Sequence, residues 1–267
     1  MQDALNTIKV LNSAGVRGTI DILGEFIERI QQAEAAREID FQILDGIRDS
    51  KVDANLSVKL SSLGLKIDFE FCCQATKAIL EHSQGRFVRL DMEDSSCTDL
   101  TLNLYRRMRA EGFTNVGVVL QAYMRRSAAD IDALPADHLN VRLCKGIYVE
   151  PAAIAFKGRG EVQDNYKLLL RKLFDKGAYV GIATHDDVLI DDAIALVGTR
   201  GLPATTHEFQ MLLGVREDRR AQLVRDGHGM RVYVPFGEQW YGYSMRRLQE
   251  NPKIAVYIIK AMFGLDT

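Results

Sequence analysis

The sequence predicts an α/β chain folded as a (β/α)8 TIM-like barrel, and three observations lead there. Short runs rich in β-branched residues alternate with longer amphipathic segments, eight times in strict order. That is the pattern of a parallel sheet with helices packed outside it. The eight units occupy most of 267 residues, a usual length for one closed barrel. Nearly every expected strand finishes in a polar or charged residue, and barrels carry their active sites at those ends. A doubly wound open sheet is the runner-up, but no GxGxxG follows the first strand.

The elements follow in order. The run 19–23 (Thr-Ile-Asp-Ile-Leu) is the first strand, with a helix over about 25–47. Strand 55–60 precedes a helix over 68–82, and strand 87–91 precedes one over about 98–111. Strand 116–121 leads to a short helix at 128–134. Strand 140–144 leads through a loop to a helix at 164–176. Strand 179–184 is followed by a helix at 188–197, strand 204–208 by one at 216–226, and strand 230–234 by a further helical segment. Asn251 caps a last helix with Pro252 at its first position.

Composition narrows the function class. Hydrophobic residues make up 47% and the formal charge is −2, with no long run of like charge. This supplies a core and argues against a nucleic-acid footprint or a polybasic membrane anchor. Cys72, Cys73, Cys97 and Cys144 form no CxxC, so reduced cytosolic thiols are expected rather than a disulfide framework or a zinc site. No metal site is expected. The first residues carry no basic-then-apolar leader. The most apolar stretch, 254–263, contains Lys260 and is too short to span a bilayer. With no Pro/Ser-rich linker, residues 1–267 read as one domain.

Beyond the eighth strand stand Tyr243, Arg246, Arg247 and Glu250, spaced i, i+3, i+4, i+7 on one helical face. Such a face normally carries aliphatic core residues. An arginine pair on an ordinary helix faces solvent. Turned inward, it needs an anion, which guanidinium groups grip bidentately. The strand ends supply Asp21 and Glu25, Lys59, Asp91, Gln121, Arg142 and Lys145, Thr184 and His185, Glu208 and Gln210, and Tyr233, a nearly complete polar ring.

These residues, in this order, resemble the proline dehydrogenase family, in both its monofunctional bacterial form and the corresponding domain of bifunctional proline utilization A. The matching segments are 21–25 (Asp-Ile-Leu-Gly-Glu), 58–64 (Val-Lys-Leu-Ser-Ser-Leu-Gly), 89–93 (Arg-Leu-Asp-Met-Glu) and 119–123 (Val-Leu-Gln-Ala-Tyr). They continue with 142–148 (Arg-Leu-Cys-Lys-Gly-Ile-Tyr), 183–186 (Ala-Thr-His-Asp), 208–210 (Glu-Phe-Gln) and 243–251. The resemblance implies flavin-dependent oxidation of L-proline to Δ1-pyrroline-5-carboxylate. FAD takes the hydride and passes electrons to a membrane quinone, the first step of proline catabolism. It also implies a cytoplasmic protein peripheral to the inner face of the membrane, with pyrroline-5-carboxylate dehydrogenase as a further partner.

Carried over by the resemblance, Lys59, Arg246 and Arg247 bind the proline carboxylate, and Leu212, Tyr233 and Tyr243 wall its ring. Lys59, Asp91, Tyr243, Arg246 and Arg247 form the catalytic set, with neither Asp91 nor Glu250 assigned as general base. Gln121, Arg142, Lys145, Gly146, Thr184, His185 and Glu250 contact the flavin. Glu25 pairs with Arg246 as a gate, and the helix carrying Tyr243 lies over the barrel mouth. Two departures stand out. Only about 17 residues precede the first strand, little of the family's N-terminal helical arm, and Ile147 and Val149 replace smaller and larger residues. Two other classes are weighed against this reading. One is a Schiff-base aldolase or lyase using Lys59 or Lys145. The other is a barrel that binds an amino acid without catalysis.

Overall fold

The computed structural model describes residues 1–24 and 27–237. Eight parallel strands close into a barrel in chain order: β1 (Arg17–Ile22), β2 (Ala54–Val58), β3 (Val88–Leu90), β4 (Val116–Gln121), β5 (Asn140–Cys144), β6 (Tyr179–Ala183), β7 (His207–Leu212) and β8 (Met230–Phe236). The ring is sealed by β1 against β8, from Arg17 opposite Arg231 to Ile22 opposite Phe236. Helices α1 (Gln2–Ser13), α2 (Ile30–Asp49), α3 (Phe69–His82), α4 (Ser95–Ala110), α5 (Ser127–Ala133), α6 (Arg159–Asp175), α7 (Asp187–Arg200) and α8 (Glu217–Arg225) accompany the strands. The alternation expected from the sequence is therefore the observed architecture.

Successive strand residues face opposite sides of a sheet. The outward positions, such as Ile20, Leu56, Leu90, Val118, Leu143, Ile182 and Phe209, are buried and join helix residues in one hydrophobic core. The inward positions differ. Barrels of this class ordinarily fill the lumen with Val, Ile and Leu. Here the lumen holds Thr19, Asp21, Asn55, Ser57, Arg89, Asp91, Arg142, Glu208, Gln210, Arg231 and Tyr233. Their bonds span the ring: Arg142 on β5 reaches Asp91 beyond β3, and Tyr233 on β8 reaches the same carboxylate.

Several elements depart from expectation, among them α2, which begins at Ile30 rather than about 25. The seventh strand starts at His207, because Thr206 folds back on Pro203: its backbone N–H and its hydroxyl both donate to the Pro203 carbonyl, at 3.0 and 2.7 Å. Residues 204–206 are therefore a turn despite two threonines. The shift moves Glu208 from the mouth end of the strand, where the sequence reading put it, to the N-terminal half. Residues before the first strand form α1, whose Ala4, Leu5, Ile8 and Leu11 are buried. Ile8 packs against Gly18, where a Cβ would lie 2.8 Å from it, so α1 sits on the outer face of β1. Finally, α6 begins at Arg159 rather than 164, with the Gly158 N–H held by the Glu161 carboxylate at 2.9 Å.

Among the described residues no helix is long and apolar enough to cross a membrane, and no group of three His, Cys, Asp or Glu side chains could hold a metal. No disulfide joins any of the four cysteines. Glu25, Tyr243, Arg246, Arg247, Glu250, Asn251 and Pro252 lie outside the described residues, and so does the helix expected over the mouth.

Candidate active site

The C-terminal half of the lumen holds a compact set of charges. Asp21 comes from β1, Lys59 from the residue after β2, Asp91 from the residue after β3, Arg142 from β5 and Tyr233 from β8. Lys59 has extended backbone and opens a 3-10 turn, Leu60–Leu63, which bends the chain out of the sheet at the mouth. Its ammonium lies 2.6 and 2.5 Å from the two Asp21 oxygens. Asp21 is fully buried, so this pair is what makes its burial tolerable.

Asp91 gathers three donors. The Arg142 guanidinium reaches Oδ1 at 2.7 Å, the Ser57 hydroxyl reaches the same oxygen at 2.6 Å, and the Tyr233 hydroxyl reaches Oδ2 at 2.9 Å. The two acids are pushed apart. Burial raises the Asp21 carboxyl above its ordinary range and the Asp91 charge adds to this, with Lys59 opposing. Burial acts upward on Asp91 too. There the charges of Arg142 and Lys59, with the Ser57 and Tyr233 hydrogen bonds, outweigh it and hold the carboxyl low. Asp91 is thus a persistent anion in a buried site.

Arg142 is fixed on every side. Beyond Asp91 it contacts Ser57 Oγ at 3.3 Å, its Nε donates to Gln210 Oε1 at 2.7 Å, and its guanidinium carbon stands 5.1 Å from the Tyr233 ring centre. Gln210 Nε2 donates in turn to Glu208 Oε1 at 2.7 Å. Glu208 is held ionised: burial is outweighed by Arg231, with Arg17 and Gln210 assisting. A carboxylate only accepts, so Gln210 must turn its amide nitrogen to Glu208 and its oxygen to Arg142. Gly181 makes room, since a Cβ there would fall 2.5 Å from Gln210 Nε2.

The rim is built by the loops after β4, β5 and β6. Gln121 is buried and, among the described residues, its Nε2 makes only long 3.4 Å contacts, to the Met92 and Glu93 carbonyls. Gly146 has φ 101°, and a Cβ on it would lie 2.1 Å from the Tyr123 ring. Only glycine carries the chain across that ring. Lys145 pairs with Asp186 at 3.3 Å, as does Arg159 at 3.5 Å, and Gln163 donates to the same acid at 3.0 Å. Against burial, the Gln163 hydrogen bond and the Lys145 charge keep the Asp186 carboxyl low. Thr184 Oγ1 accepts the Asp186 N–H at 3.2 Å. His185 Nε2 accepts the Leu212 N–H at 3.0 Å, so that nitrogen carries no proton and the ring ties the β6 loop to the end of β7. Leu212 lies in register with Tyr233, which gives one wall an aliphatic and an aromatic face side by side.

The structure therefore brings Lys59, Asp91, Arg142, Tyr233 and Leu212 together at the inner mouth, with Gln121, Lys145, Gly146, Thr184 and His185 around the rim. Sequence reasoning gave no role to Asp21, Ser57, Gln210 or Asp186. The signal was present: Asp21, Ser57 and Gln210 are polar residues at alternate positions of strands whose other face is apolar. In a parallel barrel both faces are normally apolar.

Comparison with known proteins gives this geometry its context. A model of the proline dehydrogenase family matches residues 4–257. Proline dehydrogenase 2 of Bacillus subtilis (strain 168) is 39% identical over 261 residues, covering 97% of this chain and 86% of that protein. Proline dehydrogenase of Deinococcus radiodurans is 34% identical over 268 residues, with 98% and 86% covered. A crystal structure of proline utilization A from Bdellovibrio bacteriovorus superposes with a TM-score of 0.85 at 24% identity. It matches 94% of this chain, which spans only 31% of that longer protein, and it bears on the fold alone. With a family model spanning most of its length and relatives above 30% identity along nearly all of it, the chain belongs to the proline dehydrogenase family.

Proposed function

We propose that this chain oxidises L-proline to Δ1-pyrroline-5-carboxylate with FAD as hydride acceptor, as one barrel domain. The observation that carries the reading is the buried Lys59–Asp21 and Arg142–Asp91–Tyr233 constellation at the mouth of a barrel of this family. Lys59 offers a cation to a carboxylate, and Leu212 beside Tyr233 offers a flat, mostly apolar wall to a five-membered ring. When proline enters, its carboxylate competes with Asp21 for Lys59. Burial already raises the Asp21 carboxyl, which lowers the cost of giving up that ammonium. Tyr233 and Arg142 keep Asp91 ionised, and Asp91 holds the tyrosine hydroxyl in place.

The donor set fits a flavin. Arg142 brings a fixed positive charge, Gln121 a buried amide whose Nε2 contacts are long, and Lys145 and Arg159 cations at the rim. FAD, when bound, supplies the two-electron acceptor that no side chain provides. Arg142 would hold the ring system, whose negative charge grows on reduction, and the rim cations the phosphates. Thr184, His185 and Gly146 shape the loops between them. Arg246 and Arg247 complete the carboxylate grip with Lys59, Tyr243 adds to the ring wall, and Glu250 serves the flavin side.

Glu25 and Arg246 form the gate, so Glu25→Ala should raise KM for proline, and an unchanged KM would count against it. Electrons pass to a membrane quinone by peripheral contact at the cytoplasmic face, and pyrroline-5-carboxylate dehydrogenase takes the product. The purified protein should be yellow, and anaerobic L-proline should bleach it. A colourless protein unable to take up FAD would sink the reading. Borohydride trapping of a lysine with substrate would favour Schiff-base chemistry instead.

A further inference from the structure

The opposite end of the barrel holds a cavity that this chemistry does not use. It has a volume of about 200 Å³, and its walls include Arg17, Arg89, Arg231, Glu208, Phe87 and Tyr179. Three guanidinium groups face one carboxylate. Glu208 answers two of them, Arg231 at 2.6 Å and Arg17 at 3.2 Å.

Arg89 is the exception. It belongs to the 89–93 motif, yet nothing in the mouth chemistry calls for it. It is 2% exposed and has no carboxylate within ion-pair distance among the described residues. Among the described residues its guanidinium donates only to neutral oxygens: the Val118 carbonyl at 3.0 Å, the Asn140 carbonyl at 2.9 Å and Asn140 Oδ1 at 2.5 Å. Its Nε is buried with no hydrogen-bond partner among the described residues. The Phe87 ring lies 4.6 Å from the guanidinium carbon and screens it from water. A buried cation with only neutral partners is costly. Gly117 shows that the fold is shaped around it, since a Cβ there would fall 2.5 Å from Arg89 Nη1.

We infer that this cavity is a binding site for a small monovalent oxyanion, of the carboxylate or inorganic-phosphate class, at the N-terminal end of the barrel. One negative charge balances the guanidinium that Glu208 leaves over. Asn140 spends its Oδ1 on Arg89, so its Nδ2 is a further donor for the anion. The volume equals roughly six or seven waters, enough for an anion of a few heavy atoms and too small for a nucleotide. Arg17, one-third exposed, marks the rim through which the anion enters.

The test is calorimetric titration of the purified holoenzyme with sodium phosphate and, separately, sodium acetate, against sodium chloride at equal ionic strength. Saturable binding of phosphate or acetate beyond chloride is expected, and which of the two binds identifies the source. Arg17→Gln, at the rim, should weaken that binding about tenfold, the loss expected for one charge-assisted contact. Lys145→Gln, at the mouth, should leave it unchanged. Arg89→Met should abolish it; should that variant fail to fold, Arg17→Gln decides alone. Binding no stronger than chloride, equal binding by Arg17→Gln, or loss in Lys145→Gln would each overturn the assignment. Bleaching by proline is read separately, so failure here leaves the proposed activity untouched.

Discussion

Among the described residues Gln210 is the neutral link between the two charged halves of the lumen, and replacing it by Met tests whether the column is held together there. The substitution keeps length and removes both polar atoms. It deletes the 2.7 Å bond accepted from Arg142 Nε and the 2.7 Å bond donated to Glu208. Each involves a charged partner, and such bonds contribute about 1.5–3 kcal/mol. Glu208 keeps Arg231 and Arg17, while Arg142 keeps Asp91 and Ser57, so the lower half of that range applies. The expected loss is roughly 3–4.5 kcal/mol, a fall in Tm of roughly 6–18 °C for a chain of this size.

Urea and thermal unfolding of the apoprotein give the number directly. Gln210→Glu makes the complementary test. It sets a second carboxylate oxygen against Glu208 Oε1, so one of the pair must hold a proton. A pKa raised on folding gives stability that is present in acid and lost as pH rises. This variant should therefore match its parent near pH 4, the ordinary carboxyl range, and fall behind it toward neutrality. A Gln210→Met protein as stable as its parent, together with a flat pH profile for Gln210→Glu, would refute the linkage.

The other expectations can be stated together. Tyr233→Phe removes the hydrogen bond to Asp91 Oδ2 and should raise KM for L-proline roughly five- to tenfold; steady-state kinetics with an unchanged KM would contradict it. Gly146→Ala forces a φ of 101° on a residue with a Cβ and drives that atom into the Tyr123 ring. It should cost about 1–3 kcal/mol and lower the flavin content of the purified protein, both read from one preparation by unfolding and absorbance. Asp40, on α2, is 2% exposed and its Oδ1 has no hydrogen-bond partner among the described residues. Burial, then the charge of Asp21, pushes its carboxyl well above the ordinary range, with Lys59 opposing. Its folded-state pKa exceeds its unfolded one, so its contribution is complete in acid and lost as pH rises through the folded value. Asp40→Asn should flatten the pH dependence of the urea midpoint above about pH 4, by up to one proton's worth; an unaltered slope would dismiss it.

The barrel was readable because its outward faces obey a simple rule. Runs such as Val116 to Gln121 and Asn140 to Cys144 are β-branched or aliphatic on the outer face, and both expected strands match the observed ones residue for residue. The seventh strand was misplaced because two threonines imitate a strand while one of them closes a turn on Pro203, a contact no propensity reports. The first helix was legible in hindsight: residues 4, 5, 8 and 11 are apolar at helical spacing, but the segment holds no cap or motif to draw attention. Mouth residues such as Lys59 and Asp91 were found because each stands at a strand end. Asp21 and Gln210 stood in the same polar ring, but their pairings were not legible, because Asp21 meets Lys59 from 38 residues away and Gln210 meets Arg142 across 68. Only closure of the ring makes those pairs neighbours.

The polar lumen also bears on how the chain can be made. Strands β1 to β3 bring Asp21, Lys59, Arg89 and Asp91, and these are synthesised first. Asp21 and Lys59 can pair at once, but the Asp91 partners Arg142 and Tyr233 and the Arg89 acceptors on Val118 and Asn140 arrive only with the later strands. An emerging half-barrel with an oily interior could collapse and wait. This one cannot dry its inside without stranding charge, so water must stay until β7 and β8 dock. Drying and ring closure are thereby one event, and the nascent chain is kept from sealing around itself before its last strands have left the ribosome.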